Sequence, residues 1–274
     1  MISFVNILNS IFDLIFAPFS NMAPVWAISV ISLVTGVVML IIFRYTSNQD
    51  GIKGAKEKIK GYLLEVRLFN HDLQQMLKSQ KKILSTNLTY MRYSVTPMLV
   101  MIIPVIFILV QLDSRYAFRP FNAGEKAVIS LKLDDGVSIN EADVELKLPE
   151  GVKLDAMPLR IENENEIDWR VIVEKEGNYE LIFNVRGKSY TKKLSALPVL
   201  GRVGATIEKV NYEHLLLTPA ETPLSSESAV QEIRIDYPEM KLMFWGVDVH
   251  WLIVFFVLSI ISAFGLKGVF GVQV

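Results

Sequence analysis

Residues 25–43 read VWAISVISLVTGVVMLIIF, nineteen positions without a charge. At about 1.5 Å per residue such a helix covers the roughly 30 Å hydrocarbon core of a bilayer. A second uncharged run, VTPMLVMIIPVIFILVQL at 95–112, contains Pro97 and Pro104. Prolines are tolerated in spanning helices when neighbouring groups satisfy the freed carbonyls. A third run covers 249–266, interrupted only by His250. The rest of the chain is organised around these three expected spans.

Upstream, the first 24 residues contain no Lys or Arg, and Asp13 is their only charge. A secretory signal would start with a basic region. Instead Ser3, Asn6, Ser10 and Asp13 recur at helical spacing opposite Phe4, Ile7, Leu8, Ile11, Leu14 and Ile15. The pattern over 1–24 predicts an amphipathic helix, ending near Pro18 and lying flat at the membrane interface.

Between the first two spans, residues 44–93 hold 10 Lys/Arg against 4 Asp/Glu, a net of +6. Basic residues in a short loop mark its cytoplasmic side. The segment 44–94 is therefore expected inside, the N-terminus and residues 113–248 outside, and the 267–274 tail inside, in a bacterial inner membrane. Ile52, Ala55, Ile59, Tyr62, Val66, Phe69, Leu73 and Met76 follow each other by steps of three and four, with Ile83 beyond. That is coiled-coil periodicity. Both ends must return to the bilayer, so an antiparallel helical hairpin is expected, turning at Asn70-His71-Asp72. Its Lys53, Lys56, Lys60, Lys78, Lys81 and Lys82 form a basic surface for anionic lipid, a ribosome or a protein partner, or simply a solvated face.

Beyond the second span the period changes to two. AVISLKL, ADVELKL, LRIENENEIDWRVIV, NYELIFNV and SYTKKL alternate apolar and polar residues, with turns at Asp135-Gly136, Pro149-Glu150-Gly151 and Glu176-Gly177-Asn178. Short strands at regular spacing predict an extracytoplasmic β-sandwich-like domain over 113–200. Glu162, Glu164, Glu166 and Asp168 read as one exposed strand face. Residues 201–248, with Pro219, Pro223 and a serine-rich stretch, read as an irregular connector. Tyr237, Trp245 and Trp251 are placed for an aromatic interfacial belt. The fold class expected is thus a three-span α-helical membrane protein with a cytoplasmic hairpin and a β domain.

Composition narrows the function. The chain is 51% hydrophobic and 21% charged, and its mean hydropathy is +0.34. There is no cysteine, and His71, His214 and His250 lie far apart. No catalytic constellation, cofactor motif or metal-ligand spacing is present. The 19–112 stretch resembles the YidC/Oxa membrane insertases, closest to their three-span archaeal and endoplasmic-reticulum-type branches. The likeness rests on FRYTSNQ (43–49), IKGAKEKIKGYLLEV (52–66) and MRYSVTPMLVMIIPV (91–105). It implies a non-enzymatic insertase or membrane-protein chaperone with a polar intramembrane groove, built from Ser32, Thr35, Arg44, Thr96 and Gln111. Leu40 is expected to face lipid. The family's groove arginine lies within the first core helix, whereas Arg44 closes that helix here. The implied partners are lipids, newly made membrane proteins, the ribosome and other integral membrane subunits. The alternative is an accessory subunit of an envelope complex, with the β domain as its binding module.

Overall fold

The computed structural model describes residues 2–19, 22–140, 142–197, 201–209, 223–244 and 246–272, with side chains from residue 7 onward. Ser3, Asn6, His214, Pro219 and Trp245 therefore lie outside the described positions or side chains. The chain divides into two compact units, Met1–Ala27 with Ile108–Trp251, and Ile28–Phe107 with Leu252–Val274.

The first unit contains α1 (Ile2–Phe16) and a β-rich body. β1 (Lys126–Leu133), β3 (Val152–Leu154), β5 (Glu166–Val173), β8 (Thr206–Glu208) and β9 (Val230–Ile235) form a sheet in the order β3-β5-β1-β9-β8. β4 (Leu159–Ile161) also pairs with β5. A second sheet has the order β2-β6-β7, formed by Val144–Lys147, Asn178–Val185 and Lys188–Ser195. These strands pair antiparallel, as does a separate ribbon of β10 (Leu242–Phe244) and β11 (Val247–Val249). The inward residues of both sheets share one core: Leu131, Trp169 and Val171 from the first, Leu181, Phe183 and Leu194 from the second. Trp169 meets Phe183 edge-on, with ring centroids 5.7 Å apart. Alternation along each strand creates the two apolar faces, and their burial drives the sandwich together.

Three readings of this region change. Residues 230–235, read as irregular connector, form a strand beside β1 with Ile129 opposite Ile235. A register irregularity at Lys132/Leu133 places Gln231 and Glu232 between buried Val230 and Ile233. Such a bulge breaks the period of two by which strands are recognised. Second, LRIENENEIDWRVIV is a hairpin rather than one strand. Glu162 and Glu164 lie in a short 3₁₀ turn, and Asn165 at φ 55° reverses the chain into β5. Its amide donates to the carbonyls of Asp134 and Val137, and its Oδ1 accepts from the Ile139 N–H. Asparagine tolerates this left-handed backbone because its short side chain bonds locally. Third, Tyr237 is core, stacked on Phe121 at 4.8 Å and accepting the Ser195 N–H. Trp251 is also buried.

The second unit takes α2 (Pro24–Thr46) from Ile28, all of α3 (Gln49–Leu68), α4 (Leu73–Tyr116) to Phe107, and α5 (Trp251–Leu266) from Leu252. α2 and α4 are long and apolar enough to cross a membrane. α5 is shorter, 16 residues, because Val249 belongs to β11. Pro97 and Pro104 sit inside an unbroken α4. Ser262 donates to the Leu33 carbonyl at 2.8 Å, and a Cβ added at Gly36 would overlap the Ser259 carbonyl oxygen. Small residues permit such close helix approach. Ile28, Ile31, Ser32, Thr35 and Leu40 are also buried, so Leu40 does not face lipid; it follows Gly36 by four residues on the packed face.

Candidate functional site

Two constellations gather the polar and charged side chains of the helices, one in each unit. In the first unit α1 turns its polar side towards the protein and leaves its apolar side outward. Its apolar Ile7, Ile11, Leu14 and Ile15 are exposed while Asn9 is buried. Asn9 Oδ1 accepts from Gln111 Nε2 at 2.7 Å. Asp13 accepts from Arg115 through one carboxylate oxygen, at 2.5 Å, and from Arg202 through the other, at 2.8 Å. The Arg115 side chain is only 2% exposed. It also donates to the carbonyl and Oε1 of Gln111 and approaches Ser114 Oγ, and its guanidinium lies 4.6 Å from the Phe16 ring centre. A cation excluded from water needs such a set of acceptors and a counter-ion. The single acidic residue of α1 supplies that counter-ion.

In the second unit α3 and α4 meet through side chains. Asn48 caps α3, accepting from the Gly51 N–H, and Asp72 Oδ1 accepts from the Gln75 N–H at the start of α4. Glu65 accepts from Ser79 Oγ at 2.8 Å and from Lys82 Nζ at 3.3 Å. Lys82 lies 5.2 Å from the Tyr62 ring centre, and Lys56 lies 5.8 Å from that of Tyr90. The contacts run in opposite chain directions on either side of residues 69–72. The Ser79 bond, reinforced by Lys82, holds the Glu65 carboxyl below its ordinary range. Ile52 and Ala55 of the expected seam are buried, whereas Phe69 and Leu73 at the turn are exposed. Tyr62, Lys78, Lys81, Lys82, Ser85 and Thr86 line an open cleft of about 440 Å³.

The expected groove residues are distributed differently from one another. Ser32 and Thr35 are buried on α2, and Ser32 donates back to the Ile28 carbonyl at 2.6 Å. Arg44 and Thr96 are exposed. Gln111 belongs to the Asn9–Arg115 cluster in the other unit. Of the basic residues, Lys53, Lys60, Lys78, Lys81 and Lys82 are exposed, and Lys56 is half-buried over Tyr90. Sequence reading missed Arg115 and Arg202. The signal available was Asp13, a lone charge on an otherwise apolar helix that needed a cation. Comparison with known proteins finds no matching family model and no similar curated protein.

Proposed function

We propose that this chain is a YidC/Oxa-like membrane-protein insertase or chaperone of a bacterial inner membrane, with three spanning helices. In this reading 44–94 forms a cytoplasmic antiparallel hairpin that receives newly made membrane proteins near the ribosome, while 113–248 lies outside. The observation that carries it is α4: one unbroken helix runs from the cap at Asp72 to Tyr116. A basic arm and an apolar span are thereby one continuous helix, so what the arm captures is delivered to the bilayer. A polar surface at the span lowers the cost of moving a polar segment through hydrocarbon. Photo-crosslinkers at Ser32, Thr35 and Thr96 test the groove, with exposed Val34 and Val38 as lipid-facing controls. Capture of nascent membrane proteins by the first set alone is expected, and equal capture by the controls would refute it. Arg44→Ala is expected to weaken insertion of substrates with acidic translocated tails, while Arg44→Lys retains most of it, since a point charge suffices.

A second reading, a non-enzymatic accessory subunit of an envelope complex, draws on the bonding of Ser32 and Gln111 within the protein, which leaves them less available to a substrate. Copurification in mild detergent separates the two. Ribosomes and nascent membrane proteins favour the first reading, and one stoichiometric set of integral membrane subunits favours the second.

A further inference from the structure

α4 carries a second seam that neither α3 nor the expected groove uses. Leu77, Leu84, Leu88, Met91, Val95 and Met98 are all exposed, Leu84 and Leu88 by 66% and 68%. With Lys81 they follow each other by alternating steps of four and three from 77 to 98. That is a heptad seam, with Leu77, Leu84, Met91 and Met98 at d and Lys81, Leu88 and Val95 at a. Residues that meet α3, such as Ser79 and Tyr90, fall on the far side of the helix at 100° per residue. The upper part of the seam continues into the apolar span. The lower part is a row of leucines on a helix that also carries Lys78, Lys81 and Lys82, where exposed apolar surface calls for a partner.

Charge selects among the occupants. There is no Asp or Glu from residue 73 to residue 112, while Lys78, Lys81, Lys82 and Arg92 are all cations. Lys78 and Arg92 occupy e positions beside the seam, and Lys78, Lys81 and Lys82 line the cleft next to it. A second copy, held parallel by its spans, would place Lys81 against Lys81, with no carboxylate on either copy of this stretch of α4 to offset them. A lipid surface also fits poorly. If α4 crosses the bilayer unbroken, residues 73–94 project about 33 Å from it at 1.5 Å per residue, so this face cannot lie flat on the headgroups.

We propose that this face of α4 docks a helix of another integral membrane protein, one whose spanning segment continues past the bilayer alongside α4. The docked helix has apolar a and d positions, a carboxylate opposite Lys81, and acidic g positions facing Lys78 and Arg92. This inference rests on α4 crossing the membrane and is independent of insertase activity.

The test uses the full chain in phosphatidylcholine nanodiscs, labelled with an environment-sensitive NBD fluorophore on Leu84→Cys, the only thiol in the protein. The probe is a three-heptad peptide with leucine at a and d, glutamate at g and one glutamate placed to meet Lys81. Its twin carries lysine at each of those glutamate positions. The acidic peptide is expected to shift NBD emission to the blue, saturably, with at least tenfold higher affinity than the twin. Lys81→Glu is expected to narrow or invert that preference, and Leu88→Ser to abolish binding without altering the helical content of the nanodisc-reconstituted protein. Equal affinity for the two peptides overturns the proposal. So does a blue shift caused by phosphatidylglycerol nanodiscs without peptide, which assigns the face to lipid. Disulfide-linked homodimers through Leu84→Cys in native membranes overturn it in favour of a second copy. No client protein enters this assay, so its failure leaves the groove crosslinking result standing.

Discussion

Asp13→Ala removes the carboxylate that pairs with Arg115 among the described residues. The Arg115 side chain, 2% exposed, keeps Gln111 and Ser114 as neutral acceptors but loses its counter-ion, and Arg202 loses its bond to the other carboxylate oxygen. Removing one partner of a buried ion pair costs about 3–5 kcal/mol. Asp13 is itself 47% exposed, so water replaces part of the lost interaction and the expected cost falls to about 2–3 kcal/mol, at or below two charge-assisted hydrogen bonds of about 1.5 kcal/mol each. The loss falls on the docking of α1, whose polar side is held through Asn9 and Asp13. Hydrogen exchange of the full chain in detergent reads it directly. At tenfold per 1.4 kcal/mol, amides of residues 7–16 are expected to exchange about 30- to 150-fold faster, with the β-sheet amides unchanged. Asp13→Asn retains an acceptor and is expected to fall between. Arg115→Met in the Asp13→Ala background should recover much of the protection, because it removes the orphaned buried cation. If Asp13→Ala leaves α1 exchange within threefold of the wild type, or if Arg115→Met worsens it further, the carboxylate does not hold α1.

Three other outcomes follow from the packing. Gly36→Ala forces a methyl group onto the Ser259 carbonyl and is expected to lower thermal stability in detergent by the equivalent of about 1–3 kcal/mol, the usual cost of overpacking; an unchanged melting temperature would mean that α2 and α5 do not approach there. Asn165→Ala loses three hydrogen bonds and leaves a β-carbon residue at φ 55°, so chemical denaturation is expected to show a loss of about 2–4 kcal/mol, with Asn165→Gly recovering the backbone part. Glu125 is pulled down to about 2, chiefly by Arg119 and then by Asn122, against the opposing effect of partial burial. A depressed carboxyl stabilises the fold above its unfolded value near 4.5 and loses that contribution as pH falls towards 2. Wild type should therefore exceed Glu125→Gln in melting temperature at pH 6, and the gap should close between pH 4.5 and 2.

Local periodicity determines the elements that repeat one rule. The uncharged runs at 25–43 and 95–112 correspond to α2 and to the later part of α4, and the period-two stretches to β1, β2, β5, β6 and β7. The turns at Asn70-His71-Asp72 and Asp135-Gly136 were also legible, since their chemistry acts within a few residues, whereas the Asn48 cap was not read from the sequence. Tertiary structure alone decided which of these faces is covered. VQEIRI became the partner of β1 only when a bulge restored its register, and Tyr237 stacks on the remote Phe121 while Trp251 packs against the remote Tyr116. The Asp13–Arg115 and Asn9–Gln111 bonds each join residues 102 positions apart. Sequence determined that α1 has one polar side and one apolar side; it did not determine which side faces the protein. That choice is fixed by partners on another helix: Asn9 and Asp13 turn towards Gln111 and buried Arg115, because an unpaired cation in an apolar setting is costly.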